Sequence, residues 1–259
     1  MAKIECRDLT KLFRIGGSSF EAVRELSFEV NEGELVSVVG KTGCGKSTLL
    51  SILLGLQKPT GGAVTIDRNE PYGDFDYFRG KLSAVFQTDR LLPWRTTLKN
   101  ASYGLEILRV SRQEQLQKAR YWLDKLGLLG FESAYPHELS GGMRQRVGIA
   151  RAFSVDPEIL LCDEAFGHLD EVTANRLRVD FLKLVRETKK TALFITHDIE
   201  EAMELGDRVL VLGRPAHLLM DIRLTKGLKD DPAGLKDLKS RIIEAIERDE
   251  PALNETRLR

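Results

Sequence analysis

The chain has 259 residues, of which 42% are hydrophobic and 30% are charged, and these proportions suit a globular protein with one large core. Lysine plus arginine and aspartate plus glutamate both number 39, so we expect no overall attraction to nucleic acid. The three cysteines form no CxxC pair, which argues against a zinc site or a disulfide framework. No signal peptide is visible, and no apolar run approaches the roughly 18 residues of a membrane-spanning helix. We therefore expect any membrane association to depend on another protein.

Short β-branched runs bounded by turns predict nine strands, at 4–9, 22–30, 35–39, 63–66, 82–86, 159–162, 191–195, 208–212 and 217–222. Apolar residues at helical spacing from about Thr97 to Gly127 predict a helical insertion. The tail predicts a further helix at about 235–246. We interpret the chain as an α/β domain at 1–225, with a helical subdomain inserted at approximately 90–155 and a short, charged helical extension at 226–259.

A glycine-rich segment lies between the strand at 35–39 and a helical pattern that opens near Lys46. Gly40, Gly45, Lys46 and Ser47 fit the P-loop pattern, in which backbone N–H groups turn toward phosphate oxygens. Lys46 is expected to reach the β- and γ-phosphates and Ser47 to bind Mg²⁺. The residues predicted to bind MgATP are Gly40, Lys41, Thr42, Gly43, Cys44, Gly45, Lys46, Ser47 and Thr48. A plain glycine-rich turn is the alternative.

Cys44 lies inside this loop near a helix N-terminus, a position that predicts a depressed thiol pKa. On that basis, alkylation of Cys44 should block ATP hydrolysis, and MgATP should protect the thiol.

The strand at 159–162 is followed by two acids, Asp163 and Glu164. Beside a P-loop strand, such a strand end would direct Asp163 toward the metal ion and Glu164 toward the water that attacks the γ-phosphate. The alternative is a solvated turn, which the presence of a P-loop makes less favourable.

Residues 139–146, Leu-Ser-Gly-Gly-Met-Arg-Gln-Arg, resemble the signature motif of ATP-binding cassette (ABC) ATPases. Three further landmarks of that family occur in the expected order, namely Gln87, Asp170 and His197. The resemblance covers roughly residues 4–222. It implies a P-loop NTPase core with a parallel sheet, an N-terminal antiparallel β-subdomain and an inserted α-helical subdomain.

The resemblance also implies residue roles. Ser140, Gly141 and Gly142 would act in trans, completing the ATP site of a second ABC ATPase subunit, most simply a second copy of this chain. Asp170, in the D-loop, would couple the two sites. Glu164 and Lys46 would share the catalytic work with His197, which would contact the γ-phosphate, and Gln87, which would sense the metal ion and water. For His197, a strand-end histidine paired with Asp198 is the alternative.

An aromatic side chain ahead of the P-loop is expected to stack on adenine. Phe13 is the first candidate and Phe20 the second, and a core phenylalanine is the alternative interpretation. The chain departs from the family pattern at Met143, Ala165 and His168. Whether His168 tunes hydrolysis or fits a partner is open.

The run 87–97, Gln-Thr-Asp-Arg-Leu-Leu-Pro-Trp-Arg-Thr-Thr, is similar to the Q-loop of bacterial importer ATPases for nitrate, sulfonates and taurine. This implies a peripheral subunit on the cytoplasmic side of the inner membrane. It would bind a permease near Trp94 and depend indirectly on a periplasmic solute-binding protein. A tryptophan that staples the helical subdomain to the core is the alternative role for Trp94. A soluble or exporter ABC ATPase is the alternative function, and the solute is open.

Overall fold

The structure is a computed structural model that describes residues 2–167 and 169–249. Over these residues the chain forms nine strands: β1 (Ala2–Ile15), β2 (Ser18–Asn31), β3 (Leu35–Gly40), β4 (Gly61–Ile66), β5 (Leu82–Phe86), β6 (Ile159–Asp163), β7 (Thr191–Thr196), β8 (Arg208–Leu212) and β9 (Leu218–Arg223). The α-helices of the same residues are α1 (Lys46–Leu53), α2 (Phe75–Phe78), α3 (Thr97–Ala101), α4 (Tyr103–Ile107), α5 (Arg112–Lys125), α6 (Gly141–Ser154), α7 (Glu171–Glu187), α8 (Ile199–Leu205), α9 (Lys226–Lys229) and α10 (Pro232–Arg248). His168 and residues 250–259 of the predicted extension lie outside the described residues.

The described chain forms two compact units. Unit 1 contains residues 2–74 and 193–249, and unit 2 contains residues 75–192 except His168. The chain passes from unit 2 into unit 1 within β7. The predicted domain bounds, at 1–225 and 226–259 with a subdomain at about 90–155, stay a prediction.

Unit 1 begins with an antiparallel sheet in the order β2-β1-β4. β1 and β2 form a hairpin, and Gly16 and Gly17 make its turn with φ angles of 57° and 86°. Because these angles suit glycine, the two strands continue to the turn. Both strands are longer than predicted. The largely exposed hairpin end mixes Leu12, Phe13 and Phe20 with polar residues and lacks the strict apolar alternation that signals a strand.

The second group of strands in unit 1 carries the glycine-rich loop. Every residue of β3 is buried, and β3 runs parallel to β8, which pairs antiparallel with β9. Strands that are buried on both faces have nearly continuous apolar sequences, as β3 does. The loop 41–45 follows β3 directly and leads into α1.

The tail helix α10 packs within unit 1. Its buried side chains Leu238, Ile242 and Ile246 share a core cluster with residues of β3, α8 and β8. Asp231 caps the helix by accepting a hydrogen bond from the Ala233 N–H at 3.1 Å, and Pro232 occupies the first turn. The predicted tail helix therefore packs on unit 1.

Unit 2 combines two parallel strands with helices. β5 and β6 pair parallel, and Phe86 lies opposite Asp163 at their carboxyl ends. The helical pattern predicted from Thr97 to Gly127 is present as three helices, because the chain turns after α3 and again before Ser111 caps α5. The predicted fold class, with an antiparallel β-subdomain and inserted helices, is confirmed.

Candidate nucleotide site

The loop after β3 has the backbone geometry of an anion-binding loop. Gly43 and Gly45 have φ angles of 76° and 122°, which side-chain-bearing residues rarely adopt. A Cβ on Gly45 would lie 2.1 Å from the carbonyl oxygen of Ala22. Glycine is therefore required at this position by both the torsion angle and the packing, and the turn ends where α1 begins.

Lys46 holds its side chain inside this loop. Its Nζ donates hydrogen bonds to the carbonyl oxygens of Gly40 at 2.6 Å and Lys41 at 3.0 Å. The side chain is buried, whereas Ser47, the next residue of α1, is exposed. An ammonium group and a helix N-terminus thus meet at one loop, an arrangement that favours phosphate oxygens.

In unit 2, two predicted catalytic side chains are in contact. Gln87 follows β5, Glu164 follows β6, and Gln87 Nε2 donates to Glu164 Oε2 at 3.0 Å. We call Gln87 and Glu164 the polar pair. Asp163, the last residue of β6, directly precedes Glu164 and is half-buried. The parallel pairing of β5 and β6 brings these residues to the same edge, as expected for parallel strands.

The signature residues form the start of α6. Ser140 caps this helix by accepting a hydrogen bond from the Met143 N–H at 3.2 Å. A Cβ on Gly142 would lie 2.7 Å from Cγ2 of Thr173, so this glycine also permits α6 to approach the first turn of α7. Asp170 caps α7 through the Thr173 N–H at 3.0 Å, and this hydrogen bonding holds the pKa of the Asp170 carboxyl below its ordinary value.

The side chains expected to hold Mg²⁺ are those of Ser47, Asp163 and Gln87. Among residues 2–167 and 169–249, no group of three or more His, Cys, Asp or Glu side chains could hold a metal ion. Mg²⁺ in nucleotide sites commonly uses one or two protein oxygens together with phosphates and waters. The oxygen donors of Ser47, Asp163 and Gln87 fit that chemistry.

In the described part of the chain, no helix has the length and apolarity needed to cross a membrane.

Comparison with known proteins identifies the family. The sequence profile of the ABC transporter family matches residues 23–167. This match covers more than half of the chain. The chain belongs to the ABC transporter family.

Relatives and solved structures agree with this assignment. A taurine import ATP-binding protein of Yersinia pestis is 44% identical over 191 residues, 74% of this chain and 73% of the relative. A nitrate import ATP-binding protein of Synechocystis is 38% identical over 222 residues, 85% of this chain and 82% of the relative. A dimeric ATP-binding cassette solved in a post-hydrolysis state with ADP and Pi matches with a TM-score of 0.77 and 33% identity, over 86% of this chain and 99% of that one.

These comparisons confirm three predictions about this ABC protein. It is a nucleotide-binding subunit, it is an ATP hydrolase, and it resembles the importer branch that handles nitrate and taurine. The individual site residues are not tested by similarity at this level, and they stay predictions.

The aromatic candidates lie opposite each other in the β1–β2 hairpin of unit 1. Phe13 pairs with Phe20, so the two side chains share one end of the hairpin. Phe13 is half-buried with the Lys11 ammonium 5.1 Å from its ring centroid, whereas Phe20 is exposed. His197 directly follows β7 and is exposed. Asp198, its proposed alternative partner, caps α8 by accepting hydrogen bonds from two backbone N–H groups.

The predicted depressed pKa of Cys44 is wrong. Cys44 is only 1% exposed, and burial raises the pKa of its thiol. The Lys46 ammonium and nearby backbone N–H groups act in the opposite direction without offsetting this effect. The sequence position predicted the nearby positive charge but not the burial.

The helix α6 makes a set of contacts that the sequence did not predict. Gln145, inside the signature run, was assigned no role, yet its Nε2 donates to the carbonyl oxygens of Phe86 and Ala165. Two signals were available, namely its presence in the signature run and its distance of five residues from the Ser140 cap. Neither signal could predict which groups accept its hydrogen bonds, because these are backbone carbonyls far away in sequence.

Proposed function

We propose that this chain hydrolyses MgATP to power uptake of a small solute of the nitrate, sulfonate or taurine kind through a separate permease. The observation that carries the proposal is the course of the segment 87–97. It begins at Gln87, whose side chain contacts Glu164, and continues to Trp94, whose side chain is 71% exposed. One short segment thus joins a catalytic contact to an apolar surface suited to a partner.

The proposed roles follow from the donors and acceptors of each group. Backbone N–H groups of residues 40–48 and the Lys46 ammonium would bind the phosphates, and Phe13 would stack on adenine. Mg²⁺, when bound, would neutralise phosphate charge, held by Ser47, Asp163 and Gln87. Glu164 would accept the proton of the attacking water while Gln87 orients its carboxylate, and His197 would contact the γ-phosphate.

A second subunit would complete each site. In this proposal Ser140, Gly141 and Gly142 of one subunit contact the nucleotide bound to the other, and Asp170 couples the two sites. ATP binding would close the dimer and drive the permease, and hydrolysis would reset it. The chain would act at the cytoplasmic face of the inner membrane, with the solute delivered by a periplasmic binding protein.

The contact with the permease is proposed at Trp94. An exposure of 71% argues against a role as an internal staple of unit 2. The next residue, Arg95, forms an ion pair with Glu106, and its guanidinium lies 4.8 Å from the Tyr103 ring centroid. These contacts hold the backbone beside Trp94, so that an aromatic side chain is presented from a supported segment.

The central test replaces Glu164 by glutamine. Glu164→Gln retains an oxygen that can accept the Gln87 hydrogen bond but removes the carboxylate base. Turnover should fall by about 10²–10⁴-fold, while MgATP binding persists and an ATP-bound dimer accumulates. Hydrolysis, nucleotide affinity and dimer mass should be measured on the purified chain. The matched control is Glu187→Gln, at an exposed carboxylate near the end of α7.

The transport role is tested with the same variants in cells that lack the native gene. Wild-type chain should restore uptake of taurine, nitrate or an alkanesulfonate, and Glu164→Gln should not. Normal hydrolysis by Glu164→Gln would show that Glu164 is not the base. Hydrolysis without restored uptake of any of the three solutes would contradict the importer assignment.

A further inference from the structure

Gln145 occupies a buried position on the helix that begins at the signature. It is 4% exposed, and its Nε2 donates to the carbonyl oxygen of Phe86 at 3.0 Å and that of Ala165 at 2.6 Å. A carboxamide nitrogen carries two N–H donors, and here each has a backbone acceptor. One side chain therefore joins two backbone segments, which we call the Gln145 bridge.

The two acceptors of the Gln145 bridge flank the polar pair. Phe86 directly precedes Gln87, and Ala165 directly follows Glu164. Phe86 and Asp163 are the last paired residues of β5 and β6. The Gln145 bridge therefore joins the two backbone segments at the point where strand pairing stops. The Gln87–Glu164 hydrogen bond of 3.0 Å lies at the same strand ends. The separation of the two polar side chains thus depends on α6 as well as on the sheet.

The same helix holds the start of the segment 87–97 at two more points. Arg144 Nε donates to Asp89 Oδ2 at 3.0 Å, and Arg151 donates to the carbonyl oxygens of Asp89 and Arg90, both at 2.8 Å. Because the guanidinium groups are charged, these hydrogen bonds are stronger than those between neutral groups. Three side chains of α6 therefore hold residues 86–90. Of these three, only Gln145 also contacts Ala165, the residue after Glu164.

We propose that Gln145 is a positioning residue that couples the signature helix to the Gln87–Glu164 polar pair. Both N–H donors of its side chain are used by backbone carbonyls, and it acts by setting the distance and orientation of the Gln87 and Glu164 side chains. A small displacement of α6, when its N-terminus engages the partner's nucleotide, is transmitted through the Gln145 bridge to Glu164. This inference rests on the proposed function, in which Glu164 is the base and Ser140–Gly142 contact nucleotide in trans.

The test replaces Gln145 with methionine, which keeps the length and bulk but removes both N–H donors. The kcat of the purified full chain should fall roughly 10- to 100-fold, because a catalytic group displaced by about 1 Å loses rate on this scale. The dissociation constant for MgATP should stay within about twofold, since the P-loop is unchanged. Gln145→Asn keeps the amide on a shorter side chain, so its kcat should lie between those of wild type and Gln145→Met.

The matched control is Asn100→Leu. Asn100 is another buried carboxamide of unit 2 whose Nδ2 donates to the backbone carbonyls of Leu92, Arg95 and Thr96. Its replacement should lower the thermal unfolding temperature about as much as Gln145→Met does, with a much smaller effect on kcat. An equal loss of kcat in both variants would overturn the inference, because loss of stability alone would then account for it.

A double-mutant cycle with Gln87→Ala tests the route of the effect. If Gln145 acts through the polar pair, Gln145→Met should lower kcat far less in the Gln87→Ala background than in wild type. Full additivity would overturn the coupling. Should Gln145→Met fail to show a cooperative unfolding transition, Gln145→Asn carries the cycle. An active Glu164→Gln variant would show that Glu164 is not the base, which removes the part of the proposed function on which this inference rests. An inactive Glu164→Gln with normal Gln145→Met would defeat this inference alone.

Discussion

At the scale of single residues, Cys44 shows how burial can outweigh local charge. Its place in the P-loop puts it near the Lys46 ammonium and the start of α1, both of which stabilise a thiolate. Removal of the thiol from water has the larger effect, so its pKa rises. Cys6 and Cys162 are also buried, and burial raises their pKa values as well. All three thiols should therefore be unreactive in the folded chain.

We predict that iodoacetamide modifies Cys44 slowly at neutral pH. MgATP should slow this reaction little further, because the folded loop already shields the thiol. An ordinary thiol has a pKa of about 8.5. Because the raised pKa delays formation of the Cys44 thiolate, the modification rate should continue to rise above that pH. Mass spectrometry of digested protein measures each site, and denatured chain is the control. Rapid modification with strong protection by MgATP would instead support a low pKa.

At the scale of elements, α10 is part of the core of unit 1. One face of the helix supplies Leu238, Ile242 and Ile246 to a cluster that also contains Val39 of β3, the strand before the P-loop. Asp249, at the end of α10, accepts a hydrogen bond from the Arg214 N–H at 2.8 Å, which holds the helix end to the β8–β9 turn. The tail thus contributes to the packing behind the nucleotide loop.

We predict that Ile242→Ala lowers the free energy of unfolding by about 2–5 kcal/mol, the usual cost of an unfilled cavity at a buried aliphatic site. Ile242 is 0% exposed, whereas its neighbour Ile243 is 38% exposed. Ile243→Ala is the matched control and should cost about 1 kcal/mol or less. Urea denaturation followed by circular dichroism compares the two variants. Equal midpoints would show that α10 does not stabilise unit 1.

At the scale of the whole molecule, each proposed nucleotide site needs residues from two chains. The start of α6 offers a capped helix N-terminus with two glycines, which would be a second anion-binding feature besides the P-loop of the same chain. A single chain has no use for two γ-phosphate sites on one nucleotide. Head-to-tail pairing gives both features a use, and the solved relative is dimeric with ADP and Pi.

This arrangement predicts complementation between two inactive variants. Lys46→Ala should disable the P-loop and Ser140→Arg the signature, so each homodimer should be inactive. A mixed dimer contains one site with an intact P-loop from one subunit and an intact signature from the other. Mixing should therefore restore part of the wild-type hydrolysis rate, measured by phosphate release. Activity equal to the sum of the separate variants would indicate that Ser140 does not act in trans.

Much of the fold was predictable because its signals are local. The strand at 35–39, the glycines after it and the helix from Lys46 are all present in the predicted order. The hairpin end was missed because apolar and polar residues do not alternate regularly there. The continuous helical pattern at 97–127 did not show the breaks between α3, α4 and α5, since turns between short helices leave the apolar spacing nearly intact.

By itself, the sequence determined the family, the order of the elements and the chemical groups available, because these depend on residue types at fixed short spacings. The tertiary structure alone decided which distant groups meet. It paired Gln87 with Glu164, connected Gln145 to the carbonyls of Phe86 and Ala165, and buried Cys44. Hydrogen bonding and burial depend on neighbours that are far apart along the chain, so no local pattern could have specified them.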